Sequence, residues 1–186
     1  MIGVIDTERI KGNQIYLFSY QLYNDDFTLA ESKTYHDISI DLSNRHSPKT
    51  KAKKLSKQVE SVSSFQEIYS VFQNLLSRCQ VLIAFSTSDV AVIHKNCRDM
   101  DIKYMPVSMI DLQAALFDLA TDTKRKSNLK DYCKKHKIKH DPHIPESDCS
   151  ATFEVYKDIS RKKHRQNLKH LPRRRNCPKA AACTGF

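Results

Sequence analysis

The sequence predicts an α/β fold in which a mixed sheet is flanked by helices. Segments with strand character come first along the chain, helical segments follow, and one short apolar run at residues 81–85 separates two of those helices. Such a run is typical of a strand buried at the centre of a sheet. The chain has 186 residues, which is long enough to bury a core of its own.

The first two strands are expected at residues 2–8 and 14–23, where strand-forming residues flank the turn-forming pair Gly12-Asn13. We therefore expect a hairpin at the N-terminus. A third strand is expected near residues 32–40, after a turn at residues 24–26. Residues 44–54 contain five basic side chains and are expected to form a polar loop.

The helices are predicted from the spacing of apolar residues. One helix is expected to begin after residue 64, because Phe65, Ile68 and Phe72 recur every three or four residues. Glu67 is placed as in a capping box. The same reasoning predicts four further helices, at residues 89–98, 108–120, 127–137 and 146–159.

Several protein classes are excluded by composition and patterning. The longest aliphatic or aromatic run is far shorter than the roughly 20 residues that cross a bilayer, so no membrane span is expected. The N-terminus has no basic leader, and Asp6 comes too early for a secretion signal. We expect a cytoplasmic protein whose six scattered cysteines are free thiols.

The positive charge is concentrated at the C-terminal end. The net charge is +10, and residues 157–186 hold ten Lys or Arg residues and one acid, Asp158. We therefore expect a domain at residues 1–160 and a basic, flexible tail at residues 161–186. Such a tail attracts a polyanion such as nucleic acid, and the alternative is a solvated end without a partner.

Acidic residues form the first candidate site. Asp6 and Glu8 are two residues apart on the first strand, so their side chains leave the same face of the sheet. Paired carboxylates are commonly compensated by a divalent metal, although a solvent-facing strand end explains them too. Asp89 follows the buried strand, where it either joins these acids or serves as an ordinary acid in the first turn of a helix.

The last helix adds a third acid. Asp148 shares one helical face with the apolar residues Ala151, Val155 and Ile159, so its carboxylate lies on the face that packs inward. A carboxylate in that position needs a partner. His143 precedes it by five residues, in a loop that contains proline, and is placed to reach the same cavity.

Together these residues resemble the DEDDh 3′-to-5′ exonucleases. The resemblance lies in Asp-Thr-Glu at residues 6–8, in Asp89 after a buried strand, and in His143 and Asp148 with four residues between them. This family shares a ribonuclease-H-like fold with the proofreading epsilon subunit of bacterial DNA polymerase III. The resemblance covers about residues 1–160 and implies a mixed five-stranded sheet flanked by helices. Two further segments resemble the family, residues 106–112 and 127–133.

The resemblance also implies a chemistry. Two Mg²⁺ or Mn²⁺ ions would be bound by Asp6, Glu8, Asp89 and Asp148, and His143 would be the general base that takes a proton from the attacking water. The expected activity is removal of nucleoside monophosphates from the 3′ ends of single-stranded DNA or RNA. The alternative is a catalytically weak nucleic-acid-binding module that guides a partner enzyme.

A zinc site is the competing interpretation of the histidines. Cys133, His136, His140 and His143 offer soft and imidazole ligands within eleven residues. The interleaved lysines would repel a cation, so a basic helix end that faces phosphate is the simpler explanation of this segment.

Overall fold

The computed structural model describes residues 1–10, 12–40, 59–119, 128–165 and 174–175. In these residues, seven strands form one sheet in the order β4-β3-β2-β1-β5-β6-β7. Helices cover both faces of the sheet, so the predicted α/β class with a mixed, helix-flanked sheet is confirmed. The sheet has more strands than the five expected, because the short strands β4 and β7 extend its two edges.

The first three strands form an antiparallel meander, the next three join the sheet in parallel, and the last strand is antiparallel to its neighbour. β1 pairs antiparallel with β2 and parallel with β5, so it lies at the centre of the sheet. The hairpin turn predicted at Gly12-Asn13 is confirmed, and both of its residues have positive φ. The strands are β1 (Ile2–Arg9), β2 (Ile15–Tyr23), β3 (Leu29–Asp37), β4 (Val59–Val62), β5 (Val81–Ala84), β6 (Ser108–Asp111) and β7 (Arg174–Arg175).

Among the residues that the structure describes, two helices pack on one face of the sheet and three on the other. The helices are α1 (Phe65–Arg78), α2 (Ser88–Asp99), α3 (Leu112–Leu119), α4 (Leu129–His136) and α5 (Pro145–Arg165). α1 and α2 share a core with Ile5 of β1, whereas α3 to α5 share a second core with Val4. Within the described residues, no helix combines the length and apolarity that a bilayer crossing requires.

The N-cap of α1 is Ser64, and Glu67 reaches back to the residue before it, in a variant of the predicted capping box. The Ser64 side chain accepts a hydrogen bond from the backbone N–H of Glu67, and the Glu67 carboxylate accepts one from the backbone N–H of Ser63. The expected apolar residues of this helix are buried against the sheet. The helix therefore starts where the sequence predicts it to start.

The prediction of one helix over residues 108–120 was wrong at its beginning. Residues Ser108–Asp111 form β6, and the helix α3 starts only at Leu112. Met109 and Ile110 pair with β5 in parallel register. Local propensity does not decide this segment, because the ladder to a neighbouring strand supplies the backbone partners.

Two predictions concern segments that lie partly or wholly outside the described residues. The loop expected at residues 44–54 lies outside the described residues. The domain boundary expected at residue 160 falls inside α5, which continues to Arg165. Further along, Arg174–Arg175 forms β7 beside β6. The rest of the basic tail lies outside the described residues.

His94 gives the fold a predictable dependence on pH. Its ring is buried on α2 and stacks on Tyr104 with the centroids 4.4 Å apart, and burial lowers its pKa from 6.5. The unfolded chain then binds the proton more readily, so stability falls as the pH drops below about 6.5. Between about pH 7.5 and 5.5 we expect the urea midpoint of the wild type to fall relative to that of His94→Phe, because the variant keeps every other titrating group. An equal fall in this variant would assign the loss to other groups.

Candidate active site

The C-terminal half of β1 carries the first two carboxylates. Strand alternation places Asp6 and Glu8 on the same face as Val4, which is the face covered by α5. β1 is buried up to Ile5 and becomes partly exposed from Asp6 onward. Asp6 and Glu8 therefore lie at the end of β1 that extends beyond the core and is accessible to solvent.

The first turn of α5 brings the third carboxylate to the same point. Pro145 occupies the first helical position, where its missing N–H costs nothing, and Asp148 follows within the first turn. One carboxylate oxygen from each of Asp6, Glu8 and Asp148 lies within 4.8 Å of the other two. The structure therefore brings three of the four predicted acids together, from elements more than a hundred residues apart in the chain.

The fourth acid, Asp89, lies in the same cleft but is held differently. It is buried in the first turn of α2 and accepts two hydrogen bonds from Thr7, from the backbone N–H at 3.1 Å and from the hydroxyl at 2.8 Å. Thr7 lies between the two acids of β1 and faces the opposite side of the strand. Asp89 is not part of the close three-carboxylate group, although it lines the cleft beside it.

His143 lies at the open side of the carboxylate group. Its Nδ1 is 3.5 Å from Oε1 of Glu8, and its side chain is 67% exposed. The residue has φ of +66°, which is uncommon for a side chain other than glycine, and its backbone N–H donates to Oδ2 of Asp148 at 2.9 Å. The Asp148 carboxylate therefore holds in place the loop that carries the His143 ring.

His140 is a site residue that the sequence did not assign to this cluster. Its side chain is 5% exposed, and its Nε2 is hydrogen-bonded to Oδ1 of Asp148. With the His143 backbone N–H on Oδ2, each oxygen of Asp148 has a protein partner. The only sequence signal is a histidine three residues before His143, which the competing zinc interpretation counts among its ligands.

The competing zinc site is not formed. The rings of His140 and His143 contact the acids Asp148 and Glu8, and His136 stacks on Tyr132 with the centroids 4.1 Å apart. Cys133 is buried, and burial raises the pKa of its thiol to about 11, which disfavours the thiolate that zinc requires. In the part of the chain that the structure describes, the only group arranged to hold a metal is the three-carboxylate group.

Burial of several acids makes the site unfavourable for negative charge. Burial raises the pKa of Asp89 to about 6, although the hydrogen bonds from Thr7 and the charge of Arg9 oppose the rise. Burial also raises the pKa of Asp148, against the hydrogen bond and charge of His140. A divalent cation at the cluster would favour the ionised carboxylates, and three carboxylate oxygens are the hard donors that such a cation prefers.

The acids line a cleft of about 620 Å³ that opens to solvent. Part of its wall is the turn after β5, where Phe85, Ser86 and Ser88 lie beside Asp89. Two cations, Arg9 and Lys130, also line it. The cleft therefore contains a group of acids that could bind a cation and two positively charged side chains in its wall.

Several solved structures that are similar to this fold are exonucleases. The nuclease domain of 3′hExo, a DEDDh family member bound to rAMP, is 14% identical, with a TM-score of 0.64 over 94% of this chain and 96% of that one. Exonuclease X in complex with 5′ overhanging duplex DNA is 14% identical, with a TM-score of 0.56 over 88% of this chain and 93% of that one. A 3′-exonuclease that recognises the histone mRNA stem-loop is 15% identical, with a TM-score of 0.56 over 94% and 84%.

These likenesses rest on structure, since no protein-family model and no curated protein sequence matches the chain. They span nearly the whole described molecule, and they agree with the fold expected from residues 6–8, Asp89, His143 and Asp148. The chain has the ribonuclease-H-like fold of the DEDDh exonucleases.

Proposed function

We propose that the chain is a divalent-metal-dependent 3′-to-5′ exonuclease that releases nucleoside monophosphates from the 3′ ends of single-stranded DNA or RNA. The observation that carries the proposal is the convergence of Asp6, Glu8 and Asp148 within 4.8 Å, beside His143 in an open cleft. The fold supports it, because the similar structures are nucleases.

The acids fit Mg²⁺ or Mn²⁺. Carboxylate oxygens are the hard donors that both ions prefer, and the cluster contains no thiolate that would favour a softer metal. We assign Asp6, Glu8 and Asp148 as ligands, with Asp89 as the fourth acid of the cleft. Two such ions, when bound, activate water and stabilise the departing oxygen of a phosphodiester.

His143 has the features of the general base. Its ring is exposed to the cleft, and Glu8 lies 3.5 Å from its Nδ1. A proton held on Nδ1 by this carboxylate leaves Nε2 free to accept one from water. The water oxygen then bonds to phosphorus, and the bond from phosphorus to the 3′-oxygen of the preceding nucleotide breaks. The departing 3′-oxygen takes up a proton from solvent, so the products are a nucleoside monophosphate and a strand that is one residue shorter and ends in a 3′-hydroxyl.

The similar structures support a nucleic acid as the substrate. They are recorded with duplex DNA, with rAMP and with an mRNA stem-loop, and rAMP is a nucleoside monophosphate. We also propose that the basic residues at 161–186, which include the end of α5 and the strand β7, add attraction for phosphate. A cytoplasmic location remains a prediction of the sequence.

Degradation of end-labelled strands tests the proposal. A single strand with a 3′ label should release labelled mononucleotide in Mg²⁺ or Mn²⁺, and a 5′-labelled strand should give a ladder that shortens one residue at a time. EDTA should stop both reactions, and a 3′-terminal phosphorothioate linkage should slow them. Matched DNA and RNA strands in parallel would show which sugar the cleft prefers.

Internal cuts as the first products, or release of label in EDTA, would contradict the proposal. Binding of the strand without turnover in either metal would instead favour the guiding module. Residues 85–88 support that alternative. The DEDDh exonucleases usually carry a His-Asn pair before the acid that Asp89 resembles, and this chain does not.

A further inference from the structure

Helix α4 leads away from the proposed cleavage site. Its N-cap Asn128 and its first residues, Leu129 and Lys130, line the catalytic cleft. Lys137 ends the helix in the left-handed conformation and lines a separate cavity. From Lys130 to Lys137 the chain advances about 10 Å along the helix axis. A strand whose 3′ end lies in the cleft could therefore continue along this helix.

Three lysines follow the exposed side of α4. Lys130, Lys134 and Lys137 are spaced by four and three residues, so they form one row along the helix, here called the α4 lysine row. All three are exposed, whereas Tyr132 on the opposite side is buried. The row therefore faces solvent and begins at the wall of the catalytic cleft.

The positive charge of the row is available to a ligand. Across the described ranges, no ion pair with a carboxylate involves any of the three lysines. The one acid of α4, Asp131, is engaged with the N-cap, because its backbone N–H donates to Asn128 Oδ1 at 2.7 Å and its carboxylate accepts from Asn128 Nδ2 at 2.8 Å. A ligand at the row would meet three ammonium groups and, within α4, the single carboxylate of Asp131.

We propose that the α4 lysine row binds backbone phosphates of the substrate strand on the 5′ side of the nucleotide being removed. The inference rests on the proposed function, which places the 3′ end in the cleft. Ammonium groups on flexible stems contact phosphates without reading the bases, so the row increases affinity and processive tracking but not sequence preference. The occupant is a nucleic-acid strand, because the row runs outward from the cleft that holds the 3′ end.

Salt-dependent binding of matched variants tests the row. The double variant Lys134→Ala/Lys137→Ala removes two of its charges and leaves Lys130, which lines the cleft. The control Lys95→Ala/Lys103→Ala removes two lysines that do not line the cleft. Affinity is measured by fluorescence anisotropy in EDTA, with a single strand of about 15 nucleotides, near the upper end of single-strand site sizes.

Affinity falls with salt, and each lost phosphate contact should reduce the steepness of log affinity against log salt by about 0.7. The slope of the row variant should therefore be less steep by about 1.4, and that of the control should change little. In hydrolysis, the row variant should raise KM about tenfold at low salt and leave kcat within about twofold. The rise in KM should shrink as the substrate shortens towards a dinucleotide, which cannot reach Lys134.

The two proposals fail in different ways. An unchanged salt slope in the row variant, with normal hydrolysis by the wild type, overturns the row and leaves the exonuclease standing. A reduced slope in a protein that hydrolyses no strand keeps the row as a nucleic-acid surface and overturns the exonuclease. Equal slopes in the row variant and the control would assign the effect to net charge and would also overturn the row.

Discussion

The Asp148→Asn variant should lose at least about a thousandfold in the rate of 3′-end degradation, which corresponds to about 4 kcal/mol of transition-state stabilisation. Asp148 is the acid that joins α5 to the two carboxylates of β1, so its loss leaves the proposed metal site with only β1 ligands at its centre. Binding of Mn²⁺, measured by calorimetry, should weaken in parallel. The same loss is expected for Asp6→Asn.

The Asp148→Asn variant should nevertheless fold. The amide oxygen can accept the backbone N–H of His143, and the amide nitrogen can donate to Nε2 of neutral His140, so both observed contacts have a replacement. Because burial raises the pKa of Asp148, removing its charge relieves an unfavourable ionisation in the metal-free protein. We expect an unchanged or higher Tm without metal.

Thermal unfolding with Mn²⁺ separates the metal site from the fold. At a metal concentration about 100 times Kd, the wild type should gain about 2.7 kcal/mol, or roughly 5 to 10 °C in Tm. Asp148→Asn should gain little. The control Asp99→Asn alters an exposed ion pair with Lys95 and should keep both activity and the metal-induced shift. A full shift in Asp148→Asn would remove this residue from the metal site.

Local patterns were enough to predict much of the site. Alternation along β1 gave the common face of Asp6 and Glu8, and helical periodicity gave the inward face of Asp148; the structure has both. These are short-range rules that depend on the direction of a side chain from its own element. That the three acids meet was inferred from the family resemblance, since no local rule specifies the contact between β1 and α5.

Other features depend on contacts that the sequence does not reveal. Ser108–Asp111 forms a strand because β5 lies beside it, and Val59–Val62 forms one because β3 offers a free edge. Neither segment has a strong pattern of its own. The contact from Thr7 to Asp89 crosses from β1 to α2, and the contact from His140 to Asp148 depends on the path of a loop that contains proline. Such pairings arise only when the elements are packed together.

The two histidines of that loop should fail in different ways when they are replaced. His143→Ala should lower kcat by about 10² to 10⁴, the usual contribution of a general base, because the exposed ring beside Glu8 is lost. Its backbone N–H still reaches Asp148, so Mn²⁺ affinity should change little.

His140→Ala should act mainly on metal binding. His140 is a positioning residue, since its buried Nε2 contacts Asp148 and holds the carboxylate towards Asp6 and Glu8. Loss of a partner that orients a metal ligand typically costs about 10- to 100-fold in metal affinity. His140→Gln offers a side-chain N–H at a similar reach and should recover much of this loss, whereas an alanine cannot.

Comparison of Mn²⁺ Kd with kcat at saturating metal distinguishes the two roles. If His143 is the base and His140 the positioning residue, excess metal restores most of the rate of His140→Ala and none of the rate of His143→Ala. The opposite pattern would exchange the roles. If excess metal restored the rate of His143→Ala and not that of His140→Ala, His143 would be the positioning residue and His140 the base. Full activity in His143→Ala at every pH would show that the proton passes to another group, and the assignment of the base would be wrong.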